Sequence, residues 1–263
     1  MDAEEIEVKD IDDRGMTTIT TKKQKDLYNV IATSKKYKNR YLKHSYRAIK
    51  SKKNAVAYVI LDGKPRILKW FAPGFTRQMD VEYSTLKKGS LALNIPISYE
   101  KDSDNNVLII NYIMGENLCD VLNDEKTVFS ENQRIMVLLA GWFARFHRSF
   151  KTADKFYIRG DSILRNFILA DCIWGVDFEE FRVGKPVEDI AGMCSSVLST
   201  DPMFTSEKFQ LCKTFITAYG ESVKWNLENI NEEVAYALLE TMCRRGDTLS
   251  KEDADKIVKR INL

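Results

Sequence analysis

Residues 157–180 read YIRGDSILRNFILADCIWGVDFEE, and no other stretch restricts the chain so tightly. Asp161 is followed five positions later by Asn166, then by an apolar run at 167–169, a polar turn, and a second apolar run that ends in Asp177 and Phe178. Two short apolar runs around a polar turn predict an antiparallel hairpin. Such a hairpin returns Asp177 to the neighbourhood of Asn166, so that two carboxylates and an amide converge. Asp and Asn punctuate turns routinely, and neither alone would mean much. In this order, around two strands, they are the parts phosphoryl transfer needs: Asp161 beside a hydroxyl to be deprotonated, Asn166 and Asp177 to hold Mg2+ on a nucleotide's phosphates.

Composition excludes more than it suggests. At 263 residues the chain has room for one large domain or two lobes of ordinary size. Its 40 basic and 38 acidic residues nearly cancel, which leaves no global attraction to nucleic acid or a membrane surface. Five scattered cysteines without a CxxC pair argue against a disulfide framework or a zinc site, and predict a reducing, cytoplasmic setting. The acidic N-terminal stretch lacks the apolar core of a signal peptide. The longest apolar run, residues 137–146, is interrupted by Arg145 and reads as a core helix, not a membrane span. With only His44 and His147, and no nucleophile-elbow pattern, a Ser-His-Asp triad is not expected.

Along the chain, residues 1–20 are acidic and then Thr-rich, which predicts a mobile or loosely docked arm. Between residues 35 and 53, nine of nineteen positions are Lys or Arg, with Tyr37, Tyr41 and Tyr46 interleaved. Lysines such as Lys35, Lys36, Lys38 and Lys53 with intervening tyrosines could track a phosphate backbone and stack bases, so an RNA contact is one expectation for this segment. A solvated helix face is the plainer alternative. Strand-like runs at 54–60 and 65–71 flank Asp62-Gly63, a strong hairpin signal. A helix is predicted over 77–88, with Met79, Glu82, Tyr83 and Leu86 on one face, followed by strands at 95–98 and 107–110 separated by a polar turn at 101–106. Beyond residue 111 the pattern turns helical: 116–122, 131–148, 187–198, 208–219, 232–243 and 251–261, with the hairpin 167–178 between. The expectation is an α+β chain with an N-terminal lobe over 1–110 and a helical C-terminal lobe over 111–263.

These residues resemble the protein-kinase-like superfamily, in its compact branch of aminoglycoside and choline phosphotransferases, RIO kinases and the small kinase of the archaeal tRNA-modification complex. The resemblance covers about residues 46–219. It implies a bilobal kinase-like fold, ATP with Mg2+ or Mn2+ as cofactors, and transfer of the γ-phosphate to a hydroxyl of a protein Ser/Thr or a small molecule. By that resemblance Lys69, in ILKWF, meets the α and β phosphates, and Glu82, thirteen positions on, orients it. A triphosphate needs a fixed cation, and a flexible lysine needs an anion to fix it. Val56 and Ile67 would roof the adenine, Ile168 would floor it, and Ile110 and Tyr112 would flank it at the lobe connector. Lys52 and Lys53 fall in the phosphate loop. Asp161 is the implied catalytic residue and Asn166 and Asp177 the metal ligands. Asp189 and Arg159 would support the catalytic loop, and His147 is structural.

The chain also departs from the pattern. The compact kinases usually begin the catalytic loop His-Gly-Asp, and here it is Arg159-Gly160-Asp161. That arginine would brace the loop or meet a phosphate. The tripeptide is also an adhesion motif, a reading set aside because its aspartate is already accounted for. Ser51-Lys52-Lys53-Asn54 stands where glycines are expected, and Asp177-Phe178-Glu179 where Asp-Phe-Gly is. Only eleven residues separate Asp177 from Asp189, which leaves no room for a peptide-docking activation segment. The missing glycines and Arg159 motivate an alternative, a nucleotide-binding pseudokinase or scaffold. For the acceptor, Trp225, Glu232, Arg244 and Arg245 are the sequence's candidates.

Overall fold

The computed structural model describes residues 8–11, 17–19, 21–42, 45–51 and 53–262. The chain divides into two compact units, Met1–Lys87 with Pro96–Tyr112, and Lys88–Ile95 with Ile113–Leu263. Among the described residues no helix is long and apolar enough to cross a membrane.

The first unit opens with β1 (Val8–Ile11) paired antiparallel to β2 (Thr17–Ile19), two short strands within the segment expected to be an arm. Helix α1 (Lys22–Thr33) follows, its first turn capped by the Thr21 hydroxyl, which accepts from the Gln24 amide at 3.3 Å. The unit's body is an antiparallel sheet of order β3-β4-β5-β7-β6, formed by Arg47–Ile49, Ala55–Leu61, Lys64–Trp70, Val107–Asn111 and Ser98–Asp102. The turn between β4 and β5 has positive φ at both Asp62 (51°) and Gly63 (72°), as a two-residue hairpin turn demands. The strand expected at 95–98 instead begins at Ser98 and extends to Asp102, taking the first two residues of the expected polar turn. Asp102 explains the misreading: it is buried because Tyr37 and Asn105 donate to its carboxylate.

Strand alternation gives this sheet two distinct faces. One carries Ala55, Ala57, Val59, Leu61, Leu68, Val107 and Ile109 and buries them against Leu27 and Ile31 of α1, together with Tyr37 and Tyr41. The other carries Val56, Ile67, Lys69, Leu108 and Ile110, which the register sets side by side: Val56 opposite Lys69 opposite Leu108, and Ile67 opposite Ile110. Helix α2 (Thr76–Gly89) lies on that second side, where Lys69 and Lys101 reach its Glu82 and Asp80.

The second unit contains β8 (Glu116–Asn117), α3 (Leu118–Leu122), α4 (Phe129–Ser149), β9 (Tyr157–Ile158), β10 (Phe167–Leu169), β11 (Ile173–Gly175), β12 (Arg182–Val183), α5 (Pro186–Leu198), α6 (Ser206–Ser222), α7 (Ile230–Arg245) and α8 (Lys251–Lys259). Its core is aromatic. Trp142, Phe143 and Phe146 of α4 pack with Phe167, Phe178 and Phe215, all fully buried. Helix α4 packs on α6, and α5 on α7. Strands β10 and β11 form the expected hairpin, with Phe167 opposite Gly175, and β8 pairs with the other edge of β10.

Helix α1 was not anticipated from the sequence, because Lys22, Lys23 and Lys25 masked its buried stripe at Gln24, Leu27 and Ile31. Replacing the fully buried Leu27 by Ala removes side-chain volume from the sheet's covered face. The expected loss is about 2–5 kcal/mol of unfolding free energy, read from urea denaturation. A loss within about 0.5 kcal/mol, the range of surface substitutions, would show that α1 is not part of the core.

Candidate active site

In the first unit the lysine and glutamate meet. Lys69 Nζ lies 2.7 Å from Glu82 Oε2, with side chains 7% and 1% exposed. The pairing follows from local structure: Glu82 sits on the buried stripe of α2 with Met79, Thr85 and Leu86, and Lys69 on the inner half of β5. A buried ion pair is costly to break from one side, about 3–5 kcal/mol, because the partner is left as an uncompensated charge. Val56, Ile67 and Ile110 share Lys69's face of the sheet. Tyr112 lies just past β7, its ring edge-on to Tyr58 at 5.1 Å, and Tyr58 is opposite Ile67. Tyr58 belongs with this group and was missed; its alternation with Val56 was the available signal. Lys53 is exposed in the β3–β4 connection, while Lys52 lies outside the described residues.

The second unit brings together Asp161, Asn166, Asp189 and Arg159. Asp189, at the start of α5, is 1% exposed and accepts four hydrogen bonds. Oδ2 takes them from the Arg159 amide (2.8 Å) and His147 Nε2 (3.0 Å), and Oδ1 from the Gly160 amide (3.1 Å) and the Ser162 hydroxyl (2.8 Å). The loop 159–162 is therefore wrapped around one carboxylate. Burial pushes that carboxyl's pKa up, but the hydrogen bonds and His147 outweigh burial and hold it below its usual value. Behind it, Trp225 Nε1 donates to the Tyr219 hydroxyl at 3.1 Å, and that hydroxyl contacts His147 Nδ1 at 2.8 Å. His147 is fully buried in this relay, the structural role expected of it. Gly160 has φ of 84°, and a Cβ there would collide with the Glu180 carbonyl.

Asn166 ends the 3₁₀ turn Leu164–Asn166, and its Nδ2 donates to the Asp161 carbonyl (3.0 Å) and to Asp161 Oδ2 (3.1 Å). Both bonds use the nitrogen end of the amide, so the end left for a ligand is oxygen. The Val176 amide donates to the Asn166 carbonyl at 2.9 Å, continuing the β10–β11 ladder and setting Asp177 one residue beyond it. Amide and carboxylate oxygens of this kind suit a hard divalent cation such as Mg2+ or Mn2+. The residues present thus fit the implied metal.

Arg159 does not reach outward. It is fully buried, and its Nη2 donates to the carbonyls of Val176 (2.7 Å) and Asp177 (3.1 Å). Of the two roles open to it from sequence, brace or phosphate contact, the geometry is that of a brace.

A cavity of about 460 Å³ adjoins Asp161 wholly within the second unit. Its walls are the loop 160–163, the start of α5 with Lys185 and Glu188, and one face of α7 carrying Glu233, Tyr236, Ala237, Glu240, Thr241 and Arg244. Of the acceptor candidates only Arg244 lines it. Trp225 is committed to Tyr219, Arg245 donates to the Ser199 carbonyl, and Glu232 is exposed outside the lining. The i, i+3, i+4, i+7 polar stripe of α7 was the overlooked signal.

The basic segment loses most of what a nucleic-acid contact required. Tyr37 and Tyr41 are core residues, and Tyr46 donates to Gln24 Oε1 at 2.7 Å. Lys36 pairs with Glu100 at 2.8 Å, and Arg40 with Asp62 at 2.8 Å. The stacking tyrosines are spent on packing.

No family model and no curated protein matches the chain. Solved structures do. A GDP complex of a mutant aminoglycoside 2'-phosphotransferase of type IIIa aligns with a TM-score of 0.61 at 12% identity, over 91% of this chain and 97% of that one. Macrolide 2'-phosphotransferase MphH from Brachybacterium faecium gives 0.56 at 13%, over 84% and 93%. The streptomycin–ATP–APH(2'')-IIa ternary complex gives 0.55 at 13%, over 83% and 90%. The chain has the protein-kinase-like fold in the form these phosphotransferases share.

Because the Asp189 carboxyl is held below its usual value of 3.8, it stabilises the folded state fully above that pH and loses its contribution as pH falls through the lower folded value. Unfolding free energies of wild type and Asp189→Asn, compared by denaturant titration from pH 7 to pH 2, should therefore differ most at neutral pH and converge in acid. A constant difference across the range would contradict the assignment.

Proposed function

We propose that this chain is an ATP-dependent phosphotransferase that transfers the γ-phosphoryl group to a hydroxyl of a polar small molecule. The observation that carries this reading is Asp161, tied to Asn166 by two hydrogen bonds and open to a polar cavity large enough for a small acceptor. The Asp161 carboxylate takes the proton of the acceptor hydroxyl as its oxygen attacks the γ-phosphorus. The bond to the oxygen bridging the β and γ phosphates breaks, and ADP leaves with that electron pair. Lys69 neutralises the α and β phosphates, and Glu82 keeps its ammonium oriented. Val56, Ile67, Ile110, Tyr112 and Ile168 supply the apolar surface for adenine, with Tyr58 added, and Lys52 and Lys53 supply positive charge for the phosphates. Asn166 and Asp177 would hold Mg2+ or Mn2+, which when bound neutralises charge on the phosphate oxygens.

A small-molecule acceptor is favoured over a protein Ser/Thr by the segment after Asp177. Within a few residues β12 pairs with β9, Arg182 opposite Ile158, and Pro186 starts α5. That pairing leaves no extended platform for a peptide. The structural neighbours named above are by their names aminoglycoside and macrolide phosphotransferases, one of them in complex with streptomycin, which agrees. On the α7 wall, Glu233, Tyr236, Glu240 and Arg244 offer hydrogen-bonding groups of the kind a polyhydroxylated compound uses. The scaffold alternative drew on Arg159 and the missing glycines; a buried brace removes the first of these reasons.

With Mg2+ and radiolabelled ATP, phosphate release or transfer by Asp161→Asn should fall by about 10²–10⁴-fold relative to wild type, with nucleotide affinity unchanged. Equal turnover in the two proteins would remove Asp161 from the mechanism. Nucleotide binding without turnover in either would leave the scaffold reading.

A further inference from the structure

Asp177 carries φ of 65°, in the left-handed region that a residue with a Cβ rarely adopts. It follows directly on the hairpin and is immediately followed by the fully buried Phe178. A strained residue at a ligand position needs something to hold it. Two of its supports are visible: the hairpin register, and the side chain of Arg159.

The guanidinium is itself enclosed by aromatic rings. Its carbon lies 4.6 Å from the Phe167 ring centroid, 4.7 Å from Phe178 and 5.5 Å from Trp142, so three aromatic faces surround the charge. Gly175 is part of the enclosure, because a Cβ there would meet Arg159 Nη1 at 2.8 Å and the Trp142 ring closer still. From that box Nη2 donates to the carbonyls of Val176 and Asp177, which belong to the two peptide groups on either side of the Asp177 Cα. At the same time the Arg159 backbone amide donates to Asp189. One residue therefore joins the carboxylate that wraps the catalytic loop to the strained turn that carries the second metal-ligand candidate.

We infer that Arg159 is a positioning residue: it locks the left-handed turn at Asp177 so that the Asp177 carboxylate is preset for the metal–nucleotide, and it couples that turn to the Asp161 loop. The inference rests on the phosphotransferase reading for the metal's presence, and on the geometry alone for the lock. A planar, permanently charged fork with two carbonyls in reach does this where a smaller side chain would not.

Arg159→Met tests it, since methionine fills the aromatic box without donating, and Arg159→Lys is the conservative rescue. Two readouts are taken on the full chain. Amide hydrogen exchange without ligand follows residues 176–179, with α4 and α5 as internal controls. Mn2+ binding is measured by electron paramagnetic resonance in the presence of a non-hydrolysable ATP analogue, alongside binding of the analogue without metal. In Arg159→Met, exchange at 176–179 should rise while α4 and α5 stay protected, and the Mn2+ dissociation constant should rise by about 10–100-fold. Metal-free analogue binding should stay the same, and Lys should recover part of the loss. Unchanged exchange at 176–179 overturns the lock. Faster exchange with unchanged Mn2+ affinity overturns the positioning role and leaves the proposed function standing. If wild type binds no Mn2+ with the analogue, the proposed function fails and the metal half of the inference with it, while the exchange data still decide the lock.

Discussion

A single buried carboxylate organises the functional end of this chain. Asp189 accepts from two backbone amides, a hydroxyl and an imidazole, and all four donors would be stranded without it. Charge-assisted hydrogen bonds of this kind are worth about 1.5–3 kcal/mol each, and leaving such partners unmet in the interior costs a comparable amount. The loop 159–162 has no helix or sheet ladder of its own to shape it. Its conformation is borrowed from the start of α5, and α5 is fixed in turn by Pro186 at its first position and by the Glu188 carboxylate accepting from the Lys185 amide.

A second constraint acts on the other side of the same loop. The left-handed backbone at Asp177 is one that a residue with a Cβ adopts less readily than glycine, and the buried Arg159 donates to the carbonyls of Val176 and Asp177 there. Between these anchors the hairpin register delivers Asn166. Asp161 is thus set by Asp189 through the loop and by Asn166 through its side chain, and the Asp177 turn by Arg159 and the ladder. Each member of the set is held by more than one contact, the preorganisation that the proposed phosphoryl transfer calls for.

Much of this was legible because short-range chemistry dictates it. The hairpin from 167, the Asp62-Gly63 turn and the buried stripe of α2 follow from period and spacing, and the Lys69–Glu82 pairing was implied by the resemblance. The remainder depended on tertiary choices that a sequence does not display locally. Asp102 looks like a turn residue until Tyr37 arrives from 65 positions away to bury it. Tyr37 and Tyr41 look like base-stacking residues in a basic run until the sheet's covered face claims them. Arg159 left two roles open, loop brace or phosphate contact, and only the convergence of Trp142, Phe167 and Phe178 makes an interior site for it. Trp225 looked like an acceptor contact and instead ends a buried relay, whereas the cavity wall came from a polar stripe on α7 that carries no recognisable code.

The central claim is that Asp161, Asn166 and Asp177 form a phosphoryl-transfer centre with its acceptor space beside Asp161. A crystal structure with Mg2+ and a non-hydrolysable ATP analogue tests it most directly. The account predicts a cation bound by Asn166 Oδ1 and the Asp177 carboxylate, with the Asp161 carboxylate facing both the terminal phosphate and the cavity. A cation held by other residues, or a nucleotide whose terminal phosphate lies away from Asp161, would contradict it.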